Sequence, residues 1–162
     1  MEKSARAFTL IELLIVVSII IIMTATLVPS FDTYIKNQGL RQAQENIKSD
    51  LRTAQNKAMT GVGADLGVEY WGIRFTNGND EYEFFNSTTT GNCTSLTASS
   101  FSEKLPGNVV INTTSTFCVY FSMYTGNTSD TTIRVKEGSS CKRVEVNSAG
   151  LITSPVAIAQ CQ

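Results

Sequence analysis

Apolar residues are laid out along this chain in three successive patterns. From 8 to 28 they run almost without interruption, FTLIELLIVVSIIIIMTATLV. Those 21 positions would span about 30 Å as a helix, enough for one bilayer crossing. Beyond Pro29, apolar residues return mostly every third or fourth position: Phe31, Ile35, Leu40, Ala43, Ile47, Leu51, Ala54 and Ala58. That spacing predicts a helix with one apolar stripe. From about residue 66 the period shortens to two. Segments 66–75, 81–86, 108–113, 116–123, 131–137, 142–147 and 150–153 read as short strands, separated by turn signals such as Thr76-Asn77-Gly78-Asn79 and Ser148-Ala149-Gly150.

The punctuation between these patterns sets the boundaries. Pro29 lacks a backbone donor and crowds the preceding turn, so it should kink the helix. Lys57 and Gly61 have the character of a helix end, which places the C-terminus near residue 60. A helix followed by antiparallel strands predicts an α+β fold, a long kinked N-terminal helix packed on a small antiparallel sheet. The expected divisions are a polar leader at 1–7, an apolar helix at 8–28, an amphipathic helix at 29–60, and a β domain at 61–162. Residues 86–102, NSTTTGNCTSLTASSFS, read as a Ser/Thr-rich solvated loop. The sequons at Asn86, Asn92, Asn112 and Asn127 arise readily in such a composition.

Charge and composition narrow the function. The whole chain has a net charge of -1. Residues 30–60 carry five basic and three acidic side chains, a net of +2, whereas 61–162 carry six and nine, a net of -3. A net-negative outer domain argues against nucleic acid as a partner. There is no histidine, so the side chain best suited to proton transfer near neutral pH is missing, as is the commonest metal ligand. No nucleophile elbow, phosphate-cradling Gly loop or metal motif appears. The chain therefore reads as neither an enzyme nor a cofactor carrier.

The four cysteines, Cys93, Cys118, Cys141 and Cys161, contain no CxxC pair. Two disulfides in an oxidising compartment suit them better than zinc. Three connectivities are open. The sequential pairs Cys93–Cys118 and Cys141–Cys161 are preferred, each closing a loop of roughly two dozen residues and contributing about 3 kcal/mol.

Lys3 and Arg6 before the apolar run would keep residues 1–7 cytoplasmic and send the rest outward. A secretory signal peptide would have a shorter apolar core followed by its cleavage site. Neither that reading nor a plain signal anchor explains Glu12. A lone carboxylate inside a membrane costs about 2–3 kcal/mol or more and is usually paired or functional. A cut between Ala7 and Phe8 would create an amine four residues away, able to neutralise Glu12 in the same chain or a neighbour.

The stretch FTLIELLIVVSIIIIMTATLVP at 8–29 resembles the N-terminal signal segment of type IV pilins and type II secretion pseudopilins. The resemblance covers the first 30 residues or so, and in style the helix to about 60. It implies cleavage between Ala7 and Phe8 by a prepilin peptidase that also methylates the new Phe8 amine. It makes Glu12 the assembly glutamate and Pro29 the helix-kinking proline. Two positions depart from the family pattern: Ala7 stands where a Gly is usual before the cut, and Ile21 where many members have Gly. The strand order, and the closing VEVNSAGLIT at 144–153, resemble the FimT/GspH group of minor pseudopilins.

The resemblance implies a single-pass inner-membrane protein with its C-terminal domain in the periplasm or outside. From there it would enter a pilus or pseudopilus, with other subunits, the peptidase and an inner-membrane assembly platform as partners. A second reading within the family is a DNA-binding minor pilin for transformation. Against it, the place where such proteins carry a Gly-Arg-x-Arg pattern reads Gly150-Leu151-Ile152-Thr153. Arg134, Lys136, Lys142 and Arg143 form a small basic cluster nearby, read as ordinary strand charges. Asn77, Asn79, Asp80 and Glu81 offer hard oxygens of the kind calcium prefers, but a polar hairpin turn explains them more simply.

Overall fold

The apolar stripe and the two-residue period both find their elements. Helix α1 spans Leu10–Met59, and Pro29 falls inside it. Eight strands follow: β1 (Tyr70–Phe75), β2 (Glu81–Ser87), β3 (Ser99–Lys104), β4 (Val110–Ile111), β5 (Phe117–Ser122), β6 (Thr131–Glu137), β7 (Ser140–Val146) and β8 (Ile152–Thr153). The computed structural model describes residues 8–89, 93, 99–154 and 161, with the side chains at 26–30 and 99–100 outside that description. The chain forms two compact units, Met1–Ile35 and Lys36–Gln162.

In the second unit the stripe becomes the core. Leu40, Ala43, Ile47, Leu51, Ala54 and Ala58 are all completely buried. They recur at three or four residues, so they share one face of α1, and they join Ile73, Phe75, Phe84, Val119, Phe121, Ile133 and Val144 in a single cluster. The small Ala43, Ala54 and Ala58 alternate with the larger Leu and Ile, a pattern that lets strands approach the helix closely. Truncating a fully buried Leu in such a core typically costs about 2–5 kcal/mol.

Two glutamines fix the helix to strands and turns by polar contacts. The Gln44 amide donates to the Arg143 carbonyl at 2.6 Å. The Gln55 amide donates to the Gly126 and Gly150 carbonyls at 3.2 and 2.9 Å. Each satisfies a carbonyl that would otherwise be costly to bury.

The helix ends as its sequence signals. Gly61 adopts φ 72° and donates to the Ala58 carbonyl, while the Val62 amide reaches back to Lys57. This is the two-bond closure that a left-handed glycine permits. The Ala58 carbonyl also accepts from the Tyr124 amide at 3.0 Å. A short 3-10 turn at Ala64–Leu66 occupies the start of the predicted 66–75 strand, so β1 begins only at Tyr70.

The strands form two sheets where the sequence suggested one. The first has the order β3-β2-β1-β5 and the second β4-β6-β7-β8, with antiparallel pairing throughout. The second correction concerns 86–102. The structure continues β2 to Ser87 and starts β3 at Ser99, so part of the expected loop is an edge strand. What holds it is lateral: Phe101 stacks on Phe84 with ring centroids 4.3 Å apart, and residues 99–104 pair with β2. Strand 108–113 shortens to Val110–Ile111, and 142–147 moves to Ser140–Val146.

Candidate functional site

The N-terminal turn of α1 is the site the sequence singles out. Thr9 stands just before the helix, and its carbonyl accepts from the Glu12 and Leu13 amides at 3.1 and 3.2 Å. Its hydroxyl oxygen also accepts from the Glu12 amide at 3.3 Å. Thr9-Leu10-Ile11-Glu12 therefore has the spacing of a capping box, with threonine at the cap and glutamate three residues on. Sequence reasoning explained Glu12 by a cut chain's amine and overlooked Thr9, although the T-x-x-E spacing was legible. The consequence is electrostatic. Glu12 lies in the first turn, where the unsatisfied amides and the helix dipole favour a negative charge.

The surroundings of Glu12 are apolar and open. Phe8 is 78% exposed and Leu10 83%, and Ile11, Leu13, Leu14 and Ile15 are exposed with them. Two polar side chains on this stretch are satisfied within the helix: the Ser18 hydroxyl donates to the Leu14 carbonyl at 2.8 Å, and the Thr24 hydroxyl to that of Ile20. Among the described residues, the Glu12 carboxylate has no hydrogen-bond or ion-pair partner. An apolar helix face with one unanswered carboxylate is a surface that another chain or a membrane can cover. Among the described residues no helix is long and apolar enough to cross a membrane.

Ala7 lies outside the described residues. Phe8 and Glu12 are within four residues of each other at the helix start, and the side chain of Pro29 is among those not described. The structure joins Cys93 to Cys118 and Cys141 to Cys161, each pair with Cα atoms 5.6 Å apart. Cys118 lies on β5, so this bond ties the segment after β2 to the far edge of the first sheet.

The polar turn at 77–81 is engaged in the fold. The Asn77 side-chain oxygen accepts from the Thr113 amide at 3.2 Å, and Asp80 pairs with Lys104 at 2.9 Å. Among the described residues, no group of three or more His, Cys, Asp or Glu is arranged to hold a metal ion. Two open grooves mark the surface of the second unit. One, of about 430 Å³, is lined by Val68, Tyr70, Met123 and Tyr124 among others, and one, of about 500 Å³, by Asp130, Glu145, Leu151 and Thr153 among others. Neither gathers a convergent set of titratable groups.

Comparison with known proteins places these features. Residues 3–28 match the model of the prokaryotic N-terminal methylation motif. No curated protein matches the chain. Among solved structures, the type IV minor pilin FimU of Pseudomonas aeruginosa is similar in two crystal forms. In one, the TM-score is 0.60 at 12% identity, covering 80% of this chain and 99% of that one. In the other it is 0.56 at 13% identity, covering 76% and 100%. The minor pseudopilin EpsH of the Vibrio cholerae type 2 secretion system aligns with a TM-score of 0.47 at 10% identity, covering 72% and 95%. The likeness to FimU extends to the fold: a helix on antiparallel sheets, as in type IV pilins.

Proposed function

We propose that this chain, which joins a prepilin-type N-terminus to the type IV pilin fold, is a structural minor pilin or pseudopilin that works by assembly and without catalysis. The observation that carries this reading is the coincidence of three features at one place. The methylation motif matches 3–28, the helix opens at Leu10 behind the Thr9 cap, and the side chains that follow are apolar and exposed around a single carboxylate. A soluble protein has no use for such a surface unless another apolar phase covers it.

In this reading the basic leader at 1–7 holds the chain on the cytoplasmic side, and residues 8–28 lodge in the inner membrane. Prepilin peptidase cuts between Ala7 and Phe8 and methylates the Phe8 amine. An inner-membrane platform then draws the helix into a growing filament. Inside the filament, apolar faces replace lipid, and Glu12 meets the Phe8 amine of a neighbour. Their pairing relieves the cost of an isolated charge in an apolar medium. Because an offset of even one residue would separate the pair, the same contact would set the register of assembly. Pro29 would allow the helix to bend between its packed lower part and the domain-bound upper part.

Mass spectrometry of sheared filaments and of the membrane fraction tests the first step. The expected species is an N-methylated peptide beginning at Phe8. Its presence in surface filaments would assign the protein to a pilus, and its confinement to membranes would favour a secretion pseudopilus or a rare priming subunit. Recovery of only peptides that retain MEKSARA would defeat the processing on which this function depends.

A further inference from the structure

Charge is sparse along the first part of α1, and its spacing matches a bilayer. Between Glu12 and Asp32, the 19 residues from 13 to 31 carry no charged side chain. Both carboxylates belong to one helix, Leu10–Met59. At about 1.5 Å per residue they stand about 30 Å apart along its axis, the thickness of the hydrocarbon layer of a typical bilayer.

Apolar character does not stop at residue 28. Phe31, Tyr34 and Ile35 are each more than half exposed. Phe31 and Tyr34 are three positions apart, so they share one side of the helix, and their ring centroids lie 6.4 Å apart. A tyrosine ring is apolar with a polar tip, which suits the layer where hydrocarbon meets headgroups. If the hydrocarbon held 8–28, Glu12 would lie about 6 Å inside it, and Phe31, Tyr34 and Ile35 would stand beyond it in water. Sliding the chain outward by one helical turn removes both costs together: the carboxylate leaves the hydrocarbon and the rings reach its far boundary.

We propose that, before assembly, phospholipid covers the 31–35 surface: the hydrocarbon layer holds 13–31, Glu12 stands in the inner headgroup layer, and the Phe31 and Tyr34 rings mark the outer boundary. This placement rests on the membrane lodging already assigned under the proposed function, and adds to it where the carboxylate stands. Glu12 is hydrated while the chain waits in lipid and leaves water only when the helix enters a filament. Pairing with a neighbour's amine is then required at assembly and not at insertion. Two observations favour lipid as the occupant. The uncharged length equals the hydrocarbon thickness, which a protein groove has no reason to match. The exposed apolar side chains at 31–35 also extend those that run along α1 from Leu10 to Met23.

The test places an indole at three depths in the full chain, by Ser18→Trp, Ile22→Trp and Tyr34→Trp, in phospholipid nanodiscs. Lipids brominated near the headgroup or near the bilayer centre serve as quenchers. The parent chain, whose Trp71 is buried, supplies the baseline to subtract, and circular dichroism confirms that each variant is folded. Central bromines should quench the Ile22→Trp chain about twofold more than the Ser18→Trp chain. For the Tyr34→Trp chain, headgroup bromines should quench about twofold more than central ones. Strongest central quenching in the Ser18→Trp chain, with water-like emission from the Tyr34→Trp chain, would return the hydrocarbon to 8–28. That result would overturn this placement and leave the membrane reading standing. No quenching at any of the three positions would overturn both. A shielded indole in the Tyr34→Trp chain that neither brominated lipid quenches would mean that protein covers 31–35, and would overturn the lipid contact alone.

Discussion

At Gly72 on β1, hydrogen replaces a side chain because two neighbours occupy the space. A β-carbon built there would lie 2.1 Å from the Val119 carbonyl oxygen and 2.6 Å from the Phe85 ring. Phe85 packs across this glycine, edge-on to Tyr120 at 5.1 Å between centroids. It is 2% exposed although it stands outside the main core cluster. The first sheet thus buries an aromatic ring on the face turned from the helix. Backbone cannot yield as a flexible side chain can, so Gly72→Ala should destabilise the domain by at least about 2 kcal/mol, read as a lowered midpoint in denaturant. A change within a few tenths of that midpoint's scatter would show that the strands separate easily. Nothing in YWGIRF marks the glycine as a packing requirement; in sequence it reads only as a weak point in a strand.

At the scale of elements, a polar contact joins α1 to β2 within an apolar interface. The Tyr82 hydroxyl donates to the Asp50 carboxylate at 2.5 Å. Burial, followed by the Asp50 acceptor and the charges of Asp50 and Glu103, pushes the ionisation of Tyr82 far above that of a free tyrosine. The folded protein therefore keeps this proton at a pH where the unfolded chain has released it. The resulting stabilisation is fully present below about pH 10 and is lost as pH rises further. Tyr82→Phe should lower stability near neutral pH by about 1 kcal/mol and remove its share of the alkaline decline, as measured by unfolding across pH 8–12 (a range of about four units). An alkaline limb unchanged in the variant would assign that decline to other tyrosines. Tyr120, also raised by burial, is the first of these. A contact of α1 with the neighbouring strands β1 and β3 was equally hidden from the sequence: the Lys57 ammonium lies 4.6 Å from the Trp71 ring centroid and 5.5 Å from that of Phe101. It helps hold β3, whose polar sequence alone gave no strand.

At the scale of the whole molecule, the two compact units divide the work. The unit Lys36–Gln162 contains the core cluster, so its stability should be insensitive to changes near Phe8. Under the assembly reading, Glu12→Gln removes the charge that pairs with a neighbour's amine while keeping side-chain size. Its incorporation into filaments should fall at least about tenfold, equivalent to about 1.4 kcal/mol, with the thermal unfolding of the β domain unchanged. Normal incorporation would place the register-setting contact elsewhere.

How far the sequence reaches depends on the range of the forces involved. The long helix, its end at Gly61, the apolar stripe and most strands were legible, because periodicity and glycine geometry act within a few residues of themselves. The N-terminal motif was equally local, a contiguous run around Glu12, and the matched segment 3–28 covers the same residues. The tertiary structure alone decided that the strands divide into two sheets and that β3 joins an edge through Phe84 and Phe101. Each of these is a pairing between segments distant in the chain. The register between strands is set by how side chains fill a shared space, and that space exists only once the helix and both sheets have come together.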